Sequence, residues 1–184
     1  TVYGITVGRG AGAVSTNTAV GASALSGGSQ TGTYNAVFGY QAGIANTTAG
    51  TQAFFGALSG YSNTSGDKNT FLGYAAGYFN TTGTSNTSVG YGAYANGTTA
   101  TGSYNVAIGD SALRSNTTAS NNTAVGYQAG YSNTTGASNT AMGHTALLSN
   151  TTGGSNSAFG QGAMYNTTTG AQNTAVGQGA LNAN

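Results

Sequence analysis

The chain has 184 residues, a net charge of +1 and five charged side chains, Arg9, Lys68, Arg114, Asp67 and Asp110. An ordinary soluble domain is roughly one quarter charged, so neither a basic surface for nucleic acid nor an acidic tail can be built here. There is no Cys, Pro or Trp, and Gly alone accounts for 33 residues. The lack of Cys excludes a disulfide framework and a thiolate metal site. No run of 18 apolar residues exists, so no helical membrane span is expected. Thr1 opens the chain without Met or a signal peptide, which suggests a processed chain or a piece of a longer one.

Gly- and Asn-rich chains with little charge are often disordered. Periodicity argues otherwise. Residues 1–16 contain a degenerate unit, with Val7-Gly8 in the place of Val-Gly, and read as a first coil or joining segment. From there residues 17–184 are tandem repeats. Units begin at Asn17, Asn35, Gln52, Asn69, Asn86, Asn105, Asn122, Asn139, Asn156 and Asn173, spaced by 17 residues except for one step of 18 and one of 19.

Position 1 is Asn in all units but one, where it is Gln52. Position 4 is always apolar, from Val20 and Phe38 to Phe159 and Val176. Position 5 is always Gly: Gly21, Gly39, Gly56, Gly73, Gly90, Gly109, Gly126, Gly143, Gly160 and Gly177. Position 8 is Ala except at Ser59, and positions 12 to 17 are polar, usually Asn-Thr-Thr-Gly-x-Ser/Asn/Gln.

An unvarying Gly marks a backbone with positive φ or a close approach of another segment. Apolar runs of three or four residues are too short for helices. They suit the short strands of a solenoid, one over positions 2 to 4 and a second near positions 8 to 10, with the position-5 glycine turning the corner. The polar tract closes the coil as a surface loop. The predicted fold is all-β, a parallel β-solenoid or β-roll of about ten coils of 17 residues. Stacked at strand spacing, the coils form a rod on the order of 50 Å long. The position-1 residues Asn17, Asn35, Asn69, Asn86, Asn105, Asn122, Asn139, Asn156 and Asn173 are expected to form a ladder, coil on coil.

Successive strand residues point to opposite faces, yet positions 3 and 4 are both apolar, as in Val37-Phe38 and Phe54-Phe55. One face can fill the coil and the other requires a second layer. A parallel homo-oligomer, first of all a trimer, or a fibre supplies it. The open strand edges at the ends of a solenoid also favour head-to-tail polymerisation.

The unit N-T-A-V-G-Y-Q-A-G-Y-S-N-T-T-G resembles repeats of bacterial and phage tail-fibre-like proteins. Asn122-Thr123-Ala124-Val125-Gly126 is also similar to the N-S-V-A-I-G-type motif of trimeric autotransporter adhesin heads. The resemblance implies a trimeric β-roll that works in surface attachment, outside the cell or on a cell or virion surface.

Asn-x-Ser/Thr occurs at Asn46, Asn63, Asn80, Asn86, Asn96, Asn116, Asn121, Asn133, Asn150 and Asn166. Asn86 and Asn121 fall at a coil junction and read as structural. The other eight fall in the predicted outer loop and are candidate glycosylation sites, as are the neighbouring threonines. Covalent glycans would keep a nearly uncharged rod soluble. Regular threonines raise ice binding as a lesser reading. Tyrosines recur at positions 6 and 10 and are expected to stack along the rod.

Enzyme chemistry is not expected. His144 is the only His, and Asp67 and Asp110 stand at different positions of the unit. Gly8-Arg9-Gly10-Ala11-Gly12 lacks the Lys-Ser/Thr and following helix of a phosphate loop. No catalytic residue, metal ligand or cofactor is predicted. The expected function is a structural subunit of an extracellular fibre or filament that associates with itself. The alternative is an adhesin or phage-type receptor-binding fibre segment. A ligand site should then break the repeat, and the best breaks are Tyr94 to Tyr104 in the 19-residue unit and the Asp110–Arg114 pair.

Overall fold

The computed structural model describes residues 6–95 and 99–182. It is all-β, and its strands form one sheet in sequence order. They are β1 (Val7–Gly8), β2 (Thr18–Val20), β3 (Ala36–Phe38), β4 (Ala53–Phe55), β5 (Thr70–Leu72), β6 (Thr87–Val89), β7 (Val106–Ile108), β8 (Thr123–Val125), β9 (Thr140–Met142), β10 (Ser157–Phe159) and β11 (Thr174–Val176). From β2 to β11 every neighbouring pair is parallel, and unit positions 2, 3 and 4 face the same positions of the next unit, as in Val37↔Phe54 and Ala124↔Ala141. The chain is a β-solenoid with one strand per turn. β1 differs: it runs antiparallel to β2, with Val7 opposite Val20.

The second strand expected near positions 8 to 10 is replaced by turns. The backbone explains this. Position 7 has φ of 52° at Gln41 and 53° at Gln128, and position 9 has φ of 52° at Leu25 and 54° at Leu147. Two left-handed residues so close together cannot form an extended ladder. The corner is still stitched coil to coil. The position-7 amide of Gln41 donates to Ala22 O at 2.9 Å, and the position-9 amide of Gly60 donates to Ala76 O at 2.9 Å.

The position-5 glycines have φ between 118° and 145°. They are also tightly stacked: a Cβ on Gly126 would stand 2.5 Å from Gly143 O. Both properties require Gly, and both recur because each coil repeats the same corner.

The interior is narrow and filled from two places, positions 3 and 9. In the coils of Phe54 and Phe71, position 9 is Gly60 and Gly77, and the rings lie directly over those glycines. In the coils of Ala107, Ala141 and Ala158, position 9 is Leu113, Leu147 and Met164, all buried. In these coils a large residue at one position accompanies a small one at the other, which holds the packed volume nearly constant; in the coil of Ala124 and Gly130 both are small, and Leu113 of the neighbouring coil reaches over Gly130. Position-8 alanines such as Ala76 and Ala146 line the remaining wall. Phe54 and Phe71 stack with centroids 5.0 Å apart.

Candidate functional site

Three surfaces repeat along the rod, and one place breaks them. The first surface lies inside. From Asn17 to Asn156 each position-1 side chain joins two coils through its oxygen, which accepts from the main-chain N–H of the next position 1. The distances are 2.9 Å from Asn35 N to Asn17 Oδ1, 3.0 Å from Gln52 N to Asn35 Oδ1 and 2.8 Å from Asn139 N to Asn122 Oδ1. Asn69, Asn86, Asn105, Asn156 and Asn173 continue the series at 2.9 to 3.1 Å. In most coils the amide nitrogen donates to a carbonyl of the closing tract, for example Asn69 Nδ2 to Gly83 O at 2.9 Å, whereas Asn122 Nδ2 is buried without a partner. The ladder is thus mainly side chain to backbone, with an amide–amide bond at Asn105 Nδ2 to Asn86 Oδ1 of 3.2 Å.

The sequon asparagines require a correction. Asn46, Asn63, Asn80, Asn116, Asn133 and Asn150 are buried, not outward in a loop. They line a second interior row at position 12, bonded Asn to Asn from Asn63 to Asn80 and from Asn116 to Asn150, while Asn46 Oδ1 is buried without a partner. Asn80 Nδ2 donates to Asn63 Oδ1 at 2.8 Å and to Gly83 O at 3.0 Å, and Asn150 Nδ2 donates to Asn133 Oδ1 at 2.9 Å and to Gly153 O at 2.9 Å. A nitrogen so engaged inside the coil has no room for a glycan. The tract turns its Asn inward because the carbonyl three residues on and the neighbouring Asn supply the partners a buried amide needs. In the 18-residue unit Gln30 substitutes, donating Nε2 to Asn46 O at 2.8 Å. Asn166, one position earlier, is exposed, and Asn96 lies outside the described residues. Asn86 is buried at the coil junction and Asn121 is exposed there.

What the closing tract exposes is hydroxyl. Thr31, Thr48, Ser65, Thr82, Thr101, Thr118, Thr135, Thr152 and Thr169 all face solvent, one per coil. The threonines before them, Thr47, Thr64, Thr81, Thr117, Thr134 and Thr151, are half-buried, and several are occupied, as in Thr134 Oγ1 to Thr151 O at 2.9 Å.

The outer face of the sheet is apolar. Position 3 points in and position 4 points out, so Phe55, Leu72, Ile108, Met142 and Phe159 form an exposed ridge, each 38 to 49% exposed. Phe38 and Phe55 stack at 4.8 Å. Beside the ridge runs the position-6 row, where Tyr74 and Tyr91 stack at 5.4 Å and Tyr127 and His144 at 5.2 Å. His144 Nδ1 is 3.3 Å from Thr145 Oγ1. Asp67 and Asp110 are far apart in the stack, and among the described residues no three His, Asp or Glu side chains gather.

The break is at Ala95. Position 10 is Tyr61, Tyr78, Ala95, Arg114 and Tyr131 in successive coils. Around the missing ring lies a cleft of about 330 Å³, lined by Leu58, Tyr74, Ala75, Tyr78, Phe79, Tyr91, Gly92, Ala95 and Arg114. Burial raises the pKa of the Tyr78 phenol, and the charges of Tyr61 and Tyr74 add to this. In the same coil Tyr94 is buried, and its hydroxyl donates to Gly102 O at 2.8 Å. Sequence reasoning marked this stretch by its length and charge. It missed Ala95, whose signal is the loss of a ring from an aromatic row.

In comparisons with known proteins, no family model matches the chain, and no curated protein or solved structure is similar to it.

Proposed function

We propose that the chain is a structural subunit of an extracellular fibre, assembled from copies of itself. The observation that carries this reading is the position-4 ridge, because it is apolar in every coil and six of its residues, Phe55, Leu72, Ile108, Met142, Phe159 and Val176, are exposed, with Val20, Phe38, Val89 and Val125 half-buried between them. Nine coil steps at strand spacing make it roughly 43 Å long. Three parallel copies with ridges facing one axis would cover it. The exposed hydroxyl row then faces outward, and carbohydrate attached to these threonines would coat a fibre that has almost no charge.

The test is the assembly state of the purified chain, by light scattering and electron microscopy. Wild-type protein should form trimers or filaments. A variant with Leu72→Thr, Ile108→Thr and Met142→Thr, all on the outer face, should keep its circular dichroism and scatter as a 17.8 kDa monomer. A wild-type chain that stays monomeric at high concentration overturns the reading.

The second reading, a receptor-binding fibre segment, is favoured by one observation, the aromatic cleft at Ala95.

A further inference from the structure

The geometry points to the Ala95 cleft as a binding site for a saccharide ring that carries a carboxylate. Tyr61 and Tyr78 stack with ring centroids 4.6 Å apart and an interplanar angle of 2°. Ala95 ends this row, and Arg114 resumes position 10 one coil later. Tyr78 and Arg114 are therefore two coil steps apart, about 9.6 Å at strand spacing. A flat ring in the place of the missing side chain would lie one stacking distance from each.

The walls define the ligand. The face of Tyr78 is the negative side of an aromatic quadrupole and attracts the polarised C–H face of a pyranose. Tyr74 and Tyr91, both exposed, bring phenol hydroxyls to the rim, and each can donate and accept. A polyhydroxylated ring uses these groups, whereas a purely aromatic ring does not. Arg114 supplies the charge. Its Nη1 lies over Gly92, 3.4 Å from where a Cβ would stand, which places the guanidinium at the wall of the cleft. A guanidinium takes a carboxylate through two parallel hydrogen bonds. Asp110 is not part of the wall, and its carboxylate accepts from Ser111 Oγ at 2.6 Å. At about 330 Å³ the cleft is at the small end of ligand sites, which suits one or two sugar rings. The site rests on the receptor-binding reading but not on self-association, since the ridge lies outside it.

The experiment is isothermal titration of the full chain with digalacturonic acid, with neutral galactobiose and benzoate as controls. Digalacturonic acid should bind, galactobiose more weakly and benzoate not at all. Arg114→Gln should weaken digalacturonic acid roughly tenfold or more, the scale of a lost charge-assisted pair, and leave galactobiose unchanged. Ala95→Tyr restores the residue that other coils carry at this position, so the fold is kept, and it should abolish binding of both sugars. The assignment is overturned if the wild type binds neither sugar at millimolar concentration. It is also overturned if benzoate binds as well as digalacturonic acid, or if Ala95→Tyr binds as the wild type does.

Discussion

The ring of Phe54 occupies the space that a side chain on Gly60 would need, since a Cβ there would overlap Phe54 Cε2. Elsewhere the arrangement is inverted, with Ala107 opposite Leu113. The pair, not either residue, is the unit of packing. Phe54→Ala should cost about 3–5 kcal/mol, the usual penalty for an emptied core site. Gly60→Leu alone should be comparably damaging through overpacking. The double variant, which copies the Ala107–Leu113 pairing, should recover most of the loss in thermal or guanidinium unfolding. If the double variant is as unstable as the sum of the two singles, the pairing is not what fills the interior.

The position-5 glycines should be far less replaceable than those at position 7. Gly126 has φ of 134° and would push a Cβ to 2.5 Å from Gly143 O, a backbone atom that cannot step aside. Gly162 has φ of 62° with nothing within 4 Å. Gly126→Ala should therefore lower stability by several kcal/mol or prevent folding, and Gly162→Ala by about 1 kcal/mol. Similar melting temperatures for the two variants would contradict the stacked-corner geometry.

Much of this fold is legible in the sequence because a repeat declares its constraints many times. The parallel register, the strand at positions 2 to 4 and the corner glycine all follow from the period and from residues that never vary. The second strand was misjudged for a local reason. Ala-Leu and Ala-Gly look extended, but Leu25 and Leu147 adopt left-handed conformations that only the stacked corner stabilises. The burial of Asn46 and Asn133 was hidden for a different reason. Asn-Thr-Thr-Gly has the composition of a solvated turn, and only the neighbouring coil reveals that the amide is satisfied inside. The pairing of Phe54 with Gly60 and of Ala107 with Leu113 was present in the sequence, yet its meaning required knowing that the two positions face each other. The cleft shows the same limit: Ala95 is unremarkable until Tyr78 and Arg114 are placed on either side of it.

The inner position-12 ladder ends with a defect that can be repaired. At Thr167 the usual Asn is missing, and both Thr167 Oγ1 and Asn150 Oδ1 are buried without a partner. In the two preceding coils the Asn at this place donates to the Asn behind it, Asn133 Nδ2 to Asn116 Oδ1 at 3.2 Å and Asn150 Nδ2 to Asn133 Oδ1 at 2.9 Å. Thr167→Asn should supply that donor and also reach Gly170 O. The expected gain is about 1 kcal/mol, the net worth of a typical hydrogen bond, with somewhat more because buried orphans are removed. Asn133→Ala should have the opposite effect, about 2–3 kcal/mol of destabilisation, because it leaves Asn116 Oδ1 and Gly136 O unpaired. A Thr167→Asn protein that unfolds no later than the wild type in urea would argue against the ladder extending past Asn150.

Tyr94 makes stability depend on alkaline pH. Burial pushes its phenol up to about 12 from the usual 10.0, against hydrogen bonding with Asn116 and Asn105, which lowers it. The folded chain therefore holds this proton more tightly than the unfolded chain. The associated stability is complete below pH 10.0 and is lost as pH rises toward about 12. A shift of this size corresponds to roughly 2–3 kcal/mol. Guanidinium unfolding at a series of pH values across that window should show the wild type losing stability more steeply than Tyr94→Phe. The phenylalanine protein should start lower, since Gly102 O loses its 2.8 Å donor, and the two curves should converge at the alkaline end. Parallel curves would mean that Tyr94 ionises as freely in the folded chain as in the unfolded one, and that its hydroxyl is not enclosed.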